Sequence, residues 1–175
     1  IYRTVIMVAA LSASIARGQL TYHITNDIVT ITGYSGAITG HIDIPSVIDG
    51  KDVISIGGNA FNGRTDLTSV AIANGVNNIG QCAFLGCTSL TNIVIPASAT
   101  NMEFYTFCEC ISLQNLEVPT NITSIASCLV LGCSSLSNFV IPENVTSIGS
   151  FAFGSCTNLS SIRIPENVTS IEAGA

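Results

Sequence analysis

The stretch IPENVTSIGSFAFGSCTNLSSIRIP, Ile141 to Pro165, decides the fold, because its first nine residues return as IPENVTSIE at Ile164 to Glu172. The interval is 23 residues, and it separates apolar residues along most of the chain. One recurring position is always leucine: Leu67, Leu90, Leu113, Leu136 and Leu159. A second is aromatic with one exception: Phe61, Phe84, Phe107, Val130 and Phe153. This recurrence predicts stacked units, since one unit of this size cannot cover its own apolar face.

Alternation inside each unit predicts a short β-strand. In NIVIP, Asn92 to Pro96, the side chains of Ile93 and Ile95 face one side, and those of Asn92 and Val94 face the other. Pro96 ends the strand because it has no N–H to continue a ladder. The inward residues of successive units therefore form one core, and the outward residues form a strand-lined face.

The repeat pattern IPxxVTSIGxxAFxGCxxLxxIxIP resembles the BspA-like class of leucine-rich repeats, and its period lies in the range of about 20–29 residues typical of such repeats. The resemblance implies a β-rich leucine-rich-repeat solenoid with parallel, in-register short strands, about five 23-residue units and a small N-terminal β cap. It also implies a secreted or surface-exposed protein, since several such proteins are implicated in adhesion or host-protein binding.

Three segments are expected along the chain. Residues 1–16 are predicted to be an export signal, because the apolar stretch after Arg3 is short for a membrane span and ends in small residues; a first buried element is the alternative. Residues 17–43 are predicted to form an N-terminal β segment or cap. The repeat array takes up residues 44–175, and we expect it to be truncated at the C-terminus, since it stops within a unit.

The composition of the chain limits the classes of function that we expect for it. Only 9% of the residues are charged, the net charge is −6, and no basic run is present, which argues against a nucleic-acid partner. No pair of acidic residues recurs in a register that would suit acid–base catalysis, and no nucleophile elbow or phosphate-binding loop is present. We therefore expect no enzyme activity, no cofactor and no membrane span in this part of the protein.

Seven cysteines are present, and four recur at the repeat interval: Cys87, Cys110, Cys133 and Cys156. Zinc is disfavoured, because the spacing of Cys108 and Cys110 is shorter than usual and no histidine lies in the array. Buried thiols are favoured for the recurring set, while a disulfide ladder stays open. Cys82 and Cys128 lie outside this set and could pair with neighbours in an oxidising compartment.

Glycosylation sequons also recur, at Asn121, Asn144, Asn158 and Asn167. These residues could carry glycans in a secreted eukaryotic protein. Alternatively, Asn and Thr simply suit the turn that follows each proline.

The candidate binding residues are the outward positions of the strand-lined face: Asn92, Val94, Asn115, Glu117, Asn138, Val140, Ser161 and Arg163. These side chains are polar or mildly apolar and few are charged, which suits a protein such as a host or extracellular-matrix glycoprotein, with a glycan as a further possibility. Mere solvation of the sheet is the plainer interpretation. We expect a non-catalytic, secreted or cell-surface adhesion protein; the alternative is a substrate- or cell-wall-targeting module of a larger extracellular enzyme.

Overall fold

The computed structural model describes residues 19–38 and 40–175, so the predicted export signal at 1–16 lies outside the described residues. The described chain contains fourteen short β-strands that wind into a solenoid, with three segments in each full coil. Two of these segments are strands and the third is a turn. Each segment stacks on the equivalent segment of the next coil, which produces three columns along the solenoid.

The front column contains the strands predicted from the alternating pattern. Its members are β3 (Gly40–Ile44), β6 (Leu67–Ile72), β8 (Asn92–Val94), β10 (Asn115–Leu116) and β12 (Asn138–Phe139). Strand β6 pairs in parallel with β3 and with β8, and β10 pairs in parallel with β12; Val70 lies opposite Ile93 and Asn115 opposite Asn138. The prediction of parallel strands in register is therefore confirmed.

The back column contains the second extended segment of each coil. Its members are β2 (Ile28–Ser35), β5 (Lys51–Ile56), β7 (Asn78–Ile79), β9 (Asn101–Met102), β11 (Ser124–Ile125), β13 (Ser147–Ile148) and β14 (Ser170–Ile171). Six of these strands, from β5 onward, belong to the repeats, one more than the five clear units expected from the sequence. The last residues of these six strands, from Ile56 to Ile171, follow the 23-residue interval, and the additional strand is β14, which comes after the last recurring leucine, Leu159.

The first coils include two antiparallel β-hairpins. Strand β1 (Gln19–Thr25) pairs with β2, and β2 then pairs in parallel with β5, so the hairpin continues the back column. Strand β4 (Val47–Ile48) pairs with β5 through the turn residues Asp49 and Gly50. Both turn residues have positive φ, 53° and 71°, as a tight hairpin with this dipeptide requires.

The turn column is held by backbone hydrogen bonds between coils. The Phe61 N–H donates to the Ala83 carbonyl at 2.8 Å, and the Phe84 N–H donates to the Thr106 carbonyl at 2.9 Å. The Phe107 N–H repeats the bond to Leu129 at 2.9 Å. These bonds satisfy buried backbone groups that an irregular turn would otherwise leave unpaired.

The core lies between the three columns. The rings of Phe61, Phe84 and Phe107 are fully buried and stack with centroids 5.2 and 5.6 Å apart. The recurring leucines from Leu67 to Leu136 are also fully buried, which confirms that they form the interior. Burial of this kind contributes about 1.5–3 kcal/mol for each large apolar side chain.

The recurring cysteines are free thiols in the structure and form a ladder of their own. Each Sγ donates to a backbone carbonyl of the preceding coil at 3.0–3.2 Å, pairing Cys87 with Phe61, Cys110 with Phe84, Cys133 with Phe107 and Cys156 with Val130. Burial raises the pKa of Cys87 to about 12 and of Cys156 to about 11, and it raises the pKa of Cys110 and Cys133 as well. At the first position of the column Arg64 replaces cysteine and donates to the carbonyls of Tyr34 and Gly36.

We expect the free energy of unfolding to fall between about pH 9 and pH 11. An unfolded thiol loses its proton near pH 8.5, whereas the native buried thiols keep theirs, so the stabilisation is complete below that pH and is lost as the pH rises towards the native pKa. Each thiol contributes a slope of about 1.4 kcal/mol per pH unit. Urea midpoints at successive pH values measure the effect. The variant Cys110→Ser keeps a donor for the Phe84 carbonyl and should show a smaller slope; an unchanged slope would contradict the thiol assignment.

Candidate functional site

All eight candidate binding residues lie on the exposed side of the front column or on its continuation. Asn92 and Val94 belong to β8, and Asn115 and Asn138 stand at the equivalent positions of β10 and β12. Val94 is 54% exposed and Val140 is 68% exposed, although both are apolar. Glu117, Ser161 and Arg163 are exposed as well. Strand alternation thus brings these side chains to one face, as it does for any half-buried strand.

The asparagines of this face differ from those elsewhere in the array. Within the described residues, the side chains of Asn92, Asn115 and Asn138 make no hydrogen bond to the protein. In the back column, by contrast, Asn101 donates to the Asn78 side chain at 2.5 Å, and Asn78 donates to Ser55 at 3.2 Å. The front column therefore presents three exposed amides at equivalent positions of successive coils, and their donors and acceptors are available to a ligand.

The front column is interrupted in the middle of this face. Strands β3, β6 and β8 form one sheet and β10 and β12 form another, and within residues 40–175 no backbone hydrogen bond joins β8 to β10. The back column is interrupted between the same two coils, after β9 and before β11. The turn column continues across the interruption, since Tyr105 and Phe107 donate to Ser127 and Leu129.

A shallow depression of about 200 Å³ lies at the interruption. It is lined by residues of β8 and of the segment that begins with β10: Asn92, Ile93, Val94, Ile95, Asn115 and Glu117. The structure thus brings four of the eight candidate residues around one depression and places Asn138, Val140, Ser161 and Arg163 on later coils. Two strand edges also border it, and a strand edge carries backbone N–H and C=O groups that are not used in a ladder.

The strand-lined face carries few charged residues, and these interact mainly with groups close to them. Arg163 pairs with Glu143, and this carboxylate raises the pKa of the guanidinium. The pair is exposed on both sides and contributes little to stability. Glu117 stands at the depression and gives it a single negative charge.

Glu103 is a polar residue whose role the sequence did not indicate. It follows β9 at a position where most units have glycine or alanine, and its carboxylate accepts hydrogen bonds from the Gln81 N–H at 2.9 Å and from the Asn78 amide at 3.3 Å. Glu172 repeats the arrangement by accepting from the Ser150 N–H at 3.1 Å. Both acids join adjacent coils, and their spacing of three repeats is the signal that could have identified them.

Three of the four sequon asparagines have a structural role. The side-chain amides of Asn121, Asn144 and Asn167 donate to carbonyls of the preceding coil, those of Ala97, Thr120 and Glu143, at 2.8–3.0 Å. The repeated bond explains why asparagine recurs at this interval. Asn158 is exposed in a turn.

Within 19–38 and 40–175, no three His, Cys, Asp or Glu side chains are grouped so that they could hold a metal ion. In that part of the chain no helix has the length and apolar character needed to cross a membrane.

Comparison with known proteins gives matches of sequence and of structure. The BspA type leucine-rich repeat region matches in six copies over residues 53–175. The crystal structure of a leucine-rich repeat protein from T. pallidum is 31% identical with a TM-score of 0.78, and the match covers 89% of this chain and 79% of that one. A leucine-rich cell surface protein from Faecalibacterium prausnitzii is 28% identical with a TM-score of 0.72, covering 93% of this chain and 51% of that one. A search of curated protein sequences gave no match.

Proposed function

The chain belongs to the BspA-type leucine-rich repeat family, and we propose that it is a non-catalytic binding protein of the cell surface or the extracellular medium that binds a protein partner through its strand-lined face. The observation that carries this proposal is the set of three exposed amides that make no hydrogen bond within the described residues, two of which, Asn92 and Asn115, line the depression between β8 and β10. One similar structure is named a cell surface protein, which supports an extracellular location. An export signal at 1–16 belongs to the same proposal.

The size and chemistry of the face favour a protein over a small molecule. The depression of about 200 Å³ is smaller than the roughly 300–1,000 Å³ of a typical ligand pocket. The face extends over several coils, so a large partner can make many separate contacts along it. Exposed Val94 and Val140 supply apolar contact area, and the free amides supply hydrogen bonds at fixed positions. An extracellular-matrix glycoprotein has the surface extent that this arrangement requires.

Simultaneous replacement of Asn115, Glu117, Asn138 and Arg163 by alanine should leave the fold intact and weaken binding by about tenfold or more, which corresponds to about 1.4 kcal/mol. The fold should survive because exposed substitutions usually change stability by less than about 0.5 kcal/mol. The measurement is surface binding to an array of extracellular-matrix and cell-surface proteins, with thermal unfolding of each variant as a check.

The matched control replaces two exposed turn residues outside the face, Asn74 and Asn158, by alanine. It should bind like the parent protein. If the quadruple variant is folded and binds every partner as well as the parent does, the strand-lined face is not the binding surface. Binding that survives deglycosylation of the partner indicates protein recognition, and binding that is lost on deglycosylation indicates a glycan ligand instead.

A further inference from the structure

The turn column has two positions in each full coil at which the backbone is left-handed. The residues at the second position are Gly63, Gly86, Glu109, Gly132 and Ser155. The residues at the first position, four residues earlier, are Asn59, Cys82, Tyr105, Cys128, Phe151 and Gly174, with φ between 53° and 70°. Asparagine and glycine adopt this conformation readily, whereas a bulky aromatic residue rarely does. Tyr105 and Phe151 are therefore unfavourable choices for the backbone at these two positions, and the fold itself does not require them.

Both aromatic side chains are also exposed. Tyr105 is 38% exposed, Phe151 is 51% exposed, and the adjacent Phe104 is 46% exposed. The rings of Phe104 and Tyr105 meet edge to face with centroids 5.9 Å apart. Large exposed aromatic side chains grouped on one side of a protein are typical of an interaction surface.

At this turn position, large residues alternate with small ones from coil to coil, so the two aromatic side chains do not lie on adjacent coils. Tyr105 lies beside Cys128 of the next coil, and the ring of Phe151 lies against Gly174, where a side chain would collide with it. One coil, that of Cys128, lies between the two aromatic positions, so they are two coil steps apart, which at about 4.8 Å per step gives a spacing of about 10 Å. Side chains of an extended polypeptide that point the same way recur at about 7 Å, and the long side chains of Arg or Lys at alternate residues can span the remaining distance to both rings.

The charged residues around the rings of Phe104, Tyr105 and Phe151 are all acidic. From Thr65 to Ile162 the chain contains no Lys, Arg or His. The acids Glu103, Glu109 and Glu172 adjoin the turn column, and Glu109 packs against Gly132 of the next coil. A negative surface with exposed aromatic faces attracts cations, through long-range attraction and through cation–π contacts.

We propose that this surface, here named the aromatic edge, binds a segment of a partner polypeptide that is rich in Lys and Arg. The aromatic edge consists of Phe104, Tyr105 and Phe151 together with Glu103, Glu109 and Glu172. Arg or Lys side chains lie over the rings of Tyr105 and Phe151, and the carboxylates compensate the remaining positive charge. This surface belongs to the turn column and is distinct from the strand-lined face, so the two can be tested separately.

The test uses the whole chain and a short fluorescent peptide in which Arg and Lys alternate with Gly. The comparison peptide has Gln at each Arg and Lys position. Fluorescence anisotropy should show binding of the cationic peptide that weakens with added salt, and little binding of the Gln peptide. The double variant Tyr105→Asn with Phe151→Asn should weaken binding of the cationic peptide by roughly five- to thirtyfold.

Asparagine is the substitution of choice because Asn59 already occupies the equivalent position with φ of 60°. The double variant should therefore unfold at the same temperature as the parent or higher, which separates loss of the ring from loss of the fold. The conservative variant Tyr105→Phe should retain binding. The strand-face variant with Asn115, Glu117, Asn138 and Arg163 replaced by alanine should bind the cationic peptide as the parent does.

Three results would overturn the proposal. One is equally tight binding of the Gln peptide and the cationic peptide, which would show that positive charge on the peptide is not required. Another is undiminished binding by a folded double-asparagine variant. The third is loss of peptide binding in the strand-face variant, which would transfer the site to the other surface. Failure of the strand-lined face to bind a protein partner would leave the aromatic edge unaffected, because neither experiment depends on the other.

Discussion

Leu113→Asp is expected to abolish cooperative folding of the array at 25 °C. Leu113 is fully buried between the equivalent residues of the adjacent coils, Leu90 and Leu136. The substitution removes an apolar side chain, which costs about 2–5 kcal/mol, and places a carboxylate where no partner is available, which costs several kcal/mol more. The total is comparable with the roughly 5–15 kcal/mol that stabilises a whole domain. Far-ultraviolet circular dichroism and urea unfolding measure the result.

Asn115→Asp is the matched control. It introduces the same charge only two residues further along the chain, but on the exposed side of β10. Its free energy of unfolding should stay within about 0.5 kcal/mol of the parent value. Leu113→Ala should fall between the two variants, because it leaves a cavity without a charge. If Leu113→Asp and Asn115→Asp unfold at the same urea concentration, then Leu113 does not belong to the core.

The sequence was sufficient for the core and for the strand-lined face. A 23-residue interval fixes which residues share an environment, and the alternation around Ile93 assigns each neighbour to the inside or to the outside. Burial of Leu90 and exposure of Val94 follow from these two regularities alone. The same reasoning favoured buried thiols over a disulfide ladder for the recurring cysteines, because a position inside the repeat pattern has the same environment in each coil.

The interruption between β8 and β10 could not be predicted from the sequence. Asn92 and Asn115 occupy equivalent positions, and so do Ile93 and Leu116, so the repeat pattern gives no sign that the ladder stops between them. Pairing depends on small displacements of whole coils, to which many side chains contribute weakly. The depression results from this interruption and therefore has no counterpart in the repeat pattern.

The left-handed turn positions were hidden for a different reason. Sequence rules detect positive φ from glycine or asparagine, and most coils carry other residues there, such as Cys82, Tyr105 and Phe151. The hydrogen bonds between turns, such as that from Phe107 to Leu129, enforce the conformation whatever the side chain is. Where such tertiary constraints dominate, local residue preference loses its predictive value. The aromatic edge was missed for this reason, although each of its residues is plain in the sequence.

The asparagines show which features of a binding site a repeat pattern can predict and which it cannot. Asn101 and Asn115 look alike in the sequence, since each stands beside an inward apolar residue. In the structure Asn101 bonds to Asn78 of the preceding coil, while Asn115 makes no such bond within the described residues. The distinction depends on rotamers and on the separation of the coils. The sequence could therefore predict which residues form the exposed face, but not which of their side chains form hydrogen bonds within the protein.

Phe84→Ala is expected to reduce the free energy of unfolding by about 3–5 kcal/mol, the usual cost of removing a buried ring. Phe84 is fully buried between Phe61 and Phe107, whose rings stack on either side at 5.2 and 5.6 Å. The cavity would lie between coils that are already joined by the turn-column hydrogen bonds, so the backbone cannot collapse to fill it. Both flanking rings also lose a stacking partner worth about 0.5–1.5 kcal/mol each.

The measurement is urea unfolding followed by circular dichroism, with Phe153→Ala as the matched control. Phe153 occupies the equivalent position one coil after Val130, so no phenylalanine of the stack precedes it directly, and its ring is only partly buried, with its centroid 4.9 Å from that of Phe139. Its removal should therefore cost less than the removal of Phe84. Because a repeat array is stabilised by contacts between neighbours, Phe84→Ala should also weaken the coupling of the coils on its two sides and lower the slope of the transition. Equal losses in the two variants would show that the stack contributes no more than ordinary burial, and the array would then be stabilised by its hydrogen-bonded columns and its leucines.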